Sequence, residues 1–300
     1  MRTKTKIWLI AGISLILMGC ILFGGAMSML KWDFTKLSTL KYETNEHAIV
    51  ESFKEIDIVT DTADITFVPA EETRIVCCEP SSVKHSVSVT EGVLSIRVVD
   101  ERKWYEYIGI SFDSPKITVY LPLREYGNLH IKESTGDVDI PGNFTFEGMD
   151  ISTSTGDIRL ERLSAQKLDL SVSTGKITVS GVTCAGDATI RVTTGKAVVT
   201  DMTCHNLTST GSTGDVLLKN VIAAGKISID RDTGDVTFDG CDGAEISVKT
   251  DTGDIKGTLL SDKIFFTHSD TGRIRVPKTT TGGKCEITTD TGNVDIRIGE

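Results

Sequence analysis

Near the carboxyl end of the chain four aspartates each stand two residues ahead of a glycine: Asp232, Asp251, Asp270 and Asp290. Stacked at strand spacing, about 4.8 Å, their carboxylates would repel by about 1 kcal/mol or less per pair in water. A divalent cation relieves such repulsion, and calcium, which takes oxygen ligands, is the metal this edge would hold. The residues directly after the matching glycines are also mostly charged: Asp137, Asp157, Lys176, Lys196, Asp215, Asp235, Asp254, Arg273 and Asn293. Lys176, Lys196 and Arg273 partly neutralise that edge, and the sequence lacks the Gly-Gly-x-Gly-x-Asp nonapeptide of calcium-binding rolls. The favoured reading is a solvated acidic edge with no metal or other cofactor assigned. Calcium along Asp232–Asp290 is the alternative.

Other residue types offer less. The five histidines (His47, His85, His130, His205, His268) fall at unrelated phases of the repeat described below. Seven cysteines (Cys20, Cys77, Cys78, Cys184, Cys204, Cys241, Cys285) show neither metal-ligand spacing nor an even disulfide framework. Their expected role is that of small buried hydrophobes. Cys184 and Cys204 are 20 residues apart and are expected to stack, linked or free. No serine-centred nucleophile elbow appears, and no glycine loop followed by lysine for phosphate. Trp104, Tyr105 and Tyr107 cluster beside Arg102 and Lys103, which fits packing in a cap better than an exposed binding tip. A net charge of −10 without a basic stripe argues against nucleic acid, whose binding needs clustered Lys and Arg. No catalytic residue is assigned.

What must position these residues is a repeat. Thr-Gly recurs at Gly136, Gly156, Gly175, Gly195, Gly214, Gly234, Gly253, Gly272 and Gly292, always 19 or 20 residues apart. Two residues after each glycine the chain is apolar, from Val138 and Ile158 through Ile274 and Val294. Four after, only Gly257 breaks the same rule; seven before, Leu129 to Cys285 are all apolar. Spacing of two on both flanks is strand alternation. Each coil therefore reads as strand, Thr-Gly turn, strand and polar return. Glycine tolerates the positive φ of a sharp corner, and the Asp or Asn that follows can satisfy turn amides locally. At about 4.8 Å per coil, nine coils make a rod about 40 Å long. Such coils bury their aliphatic face only by stacking. The expected fold is all-β, a parallel β-helix-like solenoid over residues 126–300 with coils stacked in chain order. Few aromatics (6%) and 28 glycines agree with a thin aliphatic core.

Upstream, Asp61-Thr62-Ala63-Asp64 looks like a tenth, degenerate copy. Alternating apolar residues over 49–125, with a hairpin turn at Glu91-Gly92, predict a first coil plus a hairpin that caps one end. Residues 31–48 read as a polar tether. Ile7 to Leu30 carry no charge, and 24 residues of helix reach about 36 Å, enough for a hydrocarbon core of about 30 Å. Leu17-Met18-Gly19-Cys20 loosely resembles a lipoprotein cleavage box, but the apolar run continues through Ile21, Leu22 and Phe23. A cleaved signal peptide normally has a shorter apolar region. Residues 7–30 are thus expected to be a single uncleaved span. Arg2, Lys4 and Lys6 place residues 1–6 in the cytoplasm, with the carboxyl domain outside.

Taken together, the motifs resemble a bacterial putative-adhesin domain of unknown function. The resemblance rests on Ser134-Thr135-Gly136-Asp137-Val138, Ser154-Thr155-Gly156-Asp157-Ile158 and Asp251-Thr252-Gly253-Asp254-Ile255. It rests also on the strand Ile117-Thr118-Val119-Tyr120-Leu121-Pro122 and the closing segment Thr280-Thr281-Gly282-Gly283-Lys284-Cys285-Glu286-Ile287, and it covers residues 50 to 300. The resemblance implies an envelope location and adhesion or scaffolding toward a surface protein or glycan, without an established reaction. A regulatory or sensory subunit of an envelope-stress system is the alternative it leaves open. A polysaccharide-active β-helix enzyme is the third reading, and it would need a groove walled by long loops, for which these coils leave no room.

Overall fold

Apolar side chains two residues apart, with a glycine every 19 or 20 residues, wind this chain into a solenoid of about nine turns. The computed structural model describes residues 3–33, 41–100 and 114–299. Trp104, Tyr105, Tyr107 and their basic neighbours lie outside the described residues. Neighbouring coils pair in parallel and in the expected phase. Met149 sits opposite Leu129 on one side and Leu168 on the other, and Ile158 lies between Val138 and Ile177. All six are buried.

The part expected to be a polar return is instead a third, short side with its own inward residues. Leu163 and Ala165, Val182 and Cys184, Met202 and Cys204, and Val221 and Ala223 are buried there. A second corner precedes it, six residues after the Thr-Gly glycine, and it adopts left-handed backbone: Arg162 φ 50°, Gly181 64°, Asp201 52°, Asn220 50° and Gly240 66°. Apart from Arg162 these are residue types that tolerate that region. Thr183 pairs with Thr203, so Cys184 and Cys204 meet in adjacent coils. Both are free, as are the other five cysteines.

Chain order and stacking order part company at the carboxyl end. The strand Val236–Thr252 pairs with Gly283–Thr291, and that strand pairs in turn with Lys263–Thr271. The last coil in sequence is therefore inserted between the two before it, contrary to the expected sequential stack. Gly282 and Gly283 make the insertion possible. A β-carbon on Gly283 would strike the Ala244 carbonyl, and one on Gly282 the Asp262 carbonyl.

At the amino end the order is also interleaved. Strands β1 (Tyr42–Ala48), β2 (Glu55–Val59), β3 (Asp64–Pro69), β4 (Arg74–Pro80), β5 (Val83–Thr90), β6 (Val93–Asp100) and β7 (Lys116–Leu121) build it. β2 and β3 form the degenerate coil, with Thr62 bridged to Thr135 and Ile65 opposite Val138. β6 and β7 lie in parallel on its far side. Antiparallel strands then close the stack: β4 on β7, β1 on β4 and β5 on β6. Residues 42–48, read from sequence as the end of the tether, are thus strand β1 of the cap, because their backbone completes the edge of β4. Glu91 (φ 51°) and Gly92 (φ 79°) form the tight hairpin turn between β5 and β6. Most of the core aromatics gather here, Phe53, Tyr126, Phe146, Phe144 and Phe67 running in ring-to-ring contact. A helix, Thr3–Met29, precedes everything, and Ile7–Met29 is long and apolar enough to cross a membrane.

Candidate functional site

The Thr-Gly corner is built by close approach as much as by turning. Gly136, Gly156, Gly175, Gly195, Gly214, Gly234, Gly253 and Gly292 have φ between 129° and 158°. A β-carbon on any of the last seven would collide with the carbonyl of the glycine one coil away. Gly272 lacks the unusual φ but is pressed by Gly292 in the same way. The residue after the glycine then completes the corner between coils, not locally as expected. The Asp137 carboxylate accepts the Asp157 amide at 2.8 Å, Asp157 that of Lys176 at 2.8 Å, and Asp235 that of Asp254 at 2.9 Å. Asp254 and Asn293 continue the chain to the amides of Asn293 (2.7 Å) and Arg273 (3.0 Å). Where lysine stands in this column it offers no acceptor, and the strands pair unbroken through Gly175↔Gly195 and Lys176↔Lys196.

The four aspartates two residues before the glycine lie on the same edge, in the order Asp232, Asp251, Asp290, Asp270 because of the inserted coil. Two of them have side-chain partners: Lys249 is 3.6 Å from Asp251, and the His268 ring is 2.8 Å from Asp270. In the neighbouring column Lys196 pairs with Asp215 at 2.9 Å. Of the remaining histidines, His130 lies 3.4 Å from Asp150, His205 is exposed, and His47 is half-buried on β1.

Sequence reasoning missed the buried charges. Arg231 is 1% exposed, its guanidinium donating to the Val192 carbonyl (2.8 Å) and the Ser209 hydroxyl (2.9 Å) in space left open by Gly211. Lys263 is 2% exposed and donates to Asp242 at 2.6 Å and to Ser261 at 2.5 Å, beside an open cleft of about 570 Å³ at the inserted coil. Burial works to raise the Asp242 carboxyl, yet the bonds from Lys263, Ser261 and the Gly243 amide hold it below its ordinary value. Arg231 ties three consecutive coils together, and Lys263 ties the end coil to the strand that carries Asp242. Their only trace in the sequence is a long polar residue at an inward phase.

The densest chemistry lies under the cap. Cys77 and Glu79 alternate on the inward face of β4, and His85 faces them from β5. His85 Nδ1 is 2.6 Å from Glu79 Oε2, and Nε2 is 2.8 Å from the Thr60 hydroxyl. The His85 amide donates to the same carboxylate oxygen at 2.8 Å, and Asn45 donates to the other at 2.8 Å. Burial, aided by the Glu79 charge, pushes the Cys77 thiol up to about 12. Hydroxyl, imidazole and carboxylate in a row can activate a nucleophile. Thr60, however, is 3% exposed, so the hydroxyl is closed to substrate. The five histidines had looked unrelated because the repeat phase does not extend into the cap. A Cys-x-Glu on one strand with a histidine across the next turn was the signal available.

Residues 53–297 match the family described as Toastrack DUF4097. Comparison with the curated proteins gives no match. Among solved structures, a putative adhesin from Parabacteroides merdae is 12% identical with a TM-score of 0.51, over 86% of this chain and 96% of that one. A putative lipid binding protein from Parabacteroides distasonis is 14% identical with a TM-score of 0.51, over 87% and 98%. A putative adhesin from the same organism is 10% identical with a TM-score of 0.50, over 86% and 98%. At these identities the likeness is one of fold.

Proposed function

This chain belongs to the Toastrack DUF4097 family, and from that membership and the geometry above we propose that it is a membrane-anchored, extracytoplasmic binding scaffold without catalysis. In this reading the amino-terminal helix crosses the membrane once, residues 1–6 stay inside, and the solenoid meets a surface protein or glycan outside. Support for the anchor comes from the helix, where the large apolar side chains from Ile7 to Phe23 are exposed rather than packed. The observation that carries the binding role is the uncovered end coil. Ile264, Phe266 and Ile274 are 38%, 55% and 43% exposed there. The strand Lys263–Thr271 has a neighbour on only one side among the described residues. Such an edge offers backbone groups and apolar side chains to a partner. The absence of catalysis is supported by three of the four acids lining the small cleft near the first coils, the fourth being Asp139, whose carboxyl is raised by burial. Asp64, Asp137 and Asp157 each accept a backbone amide of the neighbouring coil.

A regulatory role is the second reading. It is favoured by the short link between the helix, which ends at Met29, and β1, which begins at Tyr42, since a partner bound outside would act on the span through few residues. Intact cells treated with protease decide the topology: cleavage of the solenoid without lysis is expected, and protection until lysis overturns the reading. Full-length protein in detergent, passed over wall glycans and surface extracts, is expected to retain one of them. Retention of a membrane kinase or transporter instead favours regulation.

A further inference from the structure

Cys77, Glu79 and His85 are buried together, and a sulfur, a carboxylate oxygen and an imidazole nitrogen from the three all lie within 4.8 Å of one another. Among the described residues no other group of three such ligands is so gathered. Their chemistry is selective. A thiolate and an imidazole are poor ligands for calcium or magnesium, which take oxygen, and good ones for zinc and its close relatives. Charge agrees with this choice. One thiolate and one carboxylate balance a divalent cation, giving a neutral group that a dry interior tolerates far better than either anion alone.

The surroundings already hold the ligands in place. Cys77 and Glu79 share a face of β4 because they are two residues apart on a strand. Asn45 on β1 fixes one Glu79 oxygen at 2.8 Å, and the His85 amide holds the other at 2.8 Å. Hydrogen bonds of this kind orient metal ligands. Thr60, just after β2, hydrogen-bonds the far side of the imidazole at 2.8 Å. We propose that Cys77, Glu79 and His85 form a structural site for a zinc-type divalent cation, which fastens cap strands β4 and β5 over the first coil. Binding releases the Cys77 proton and opens the His85–Glu79 hydrogen bond; the imidazole then carries its proton on Nε2, donating to the Thr60 hydroxyl, while Nδ1 takes the metal and a water is left for the fourth position.

Cobalt(II) is the probe, added to the reduced, metal-stripped full-length chain in detergent. The expected result is a thiolate-to-cobalt charge-transfer absorption with visible bands of a four-coordinate ion, saturating at one equivalent and abolished by zinc. Zinc should also raise the melting temperature, while calcium and magnesium should not. Cys77→Ser should remove the charge-transfer band, His85→Gln should lower cobalt affinity at least tenfold, and Cys184→Ser should leave the spectrum unchanged. The proposal is overturned if the wild-type chain gives no charge-transfer band at one equivalent, or if the band survives Cys77→Ser. Should either variant fail to fold, the wild-type titration and the zinc-dependent melting shift still decide.

Discussion

Glu133 faces inward three residues before Gly136, in a column otherwise filled by Thr153, Val172, Val192 and their successors. It is 4% exposed, neither oxygen has a hydrogen-bond partner, and burial raises its carboxyl to about 8. In the folded chain it is therefore protonated at neutral pH, whereas in the unfolded chain it ionises near the ordinary 4.5. Unfolding then releases a proton between those values. The stabilisation is complete below about 4.5 and is lost as pH rises through about 8, at a limiting slope of about 1.4 kcal/mol per pH unit. Denaturant melts from pH 4 to 9 should show this decline, and Glu133→Gln, which cannot ionise, should flatten it. An equal slope in the variant would assign the pH dependence elsewhere. Gly195 carries a different constraint. Its φ is 135° and the Gly175 carbonyl occupies the place of a side chain. Gly195→Val should cost well over ~1 kcal/mol in the same melts, through both backbone strain and a forced gap between coils. A loss of a few tenths would show that neighbouring coils part easily.

Coils are interchangeable to a degree that single residues are not, and this governs what could be read in advance. The periodic glycines and aliphatic columns were legible because every coil presses on the next at the same place, so each copy repeats the same requirement. The left-handed second corner was written in the same way, in Gly181, Asp201, Asn220 and Gly240, but its varied residue types hid it. Stacking order was not legible. Every coil presents its apolar residues at the same phase, so the pattern does not say which coil lies next, and Ile255 pairs with Val294 where a sequential stack would have paired it with Ile274. The candidate metal cluster was illegible for the opposite reason, since the antiparallel cap obeys no repeat. The inserted coil has a consequence that a sequential stack lacks. The strand Lys263–Thr271 rests on Gly283–Thr291 alone, so a chain ending after Pro277 deprives the preceding coil of its only neighbour among the described residues. Such a truncation should leave residues 126–252 protected in hydrogen exchange and lose protection throughout 263–275. In a sequential stack 263–275 would instead stay protected, docked on the coil before it.

At the scale of the whole molecule the two ends of the solenoid differ. One is sealed by antiparallel strands laid over the last parallel layer, with Arg74 of β4 stacked 4.0 Å over Tyr120 of β7. Among the described residues the other ends on a bare coil, where Phe265 and Val276, inward-facing by phase, remain half-buried and Ile274 is exposed. Solenoids normally blunt such an end with a polar cap, and unprotected edges invite strand pairing. Among the described residues, cap strands β1 and β5 also pair on one side only, but the bare coil joins an open edge to outward apolar side chains. If that place carries binding, removing its outward apolar groups should abolish retention without unfolding the chain. Ile264→Thr with Phe266→Thr keeps strand preference and alters side chains that are 38% and 55% exposed, so stability should change by less than about 1 kcal/mol. The double variant, purified full-length in detergent, should lose the partner that wild type retains while keeping the wild-type melting temperature. Undiminished retention would move the binding surface from the open end to the flat faces of the coils, where the polar ladders run.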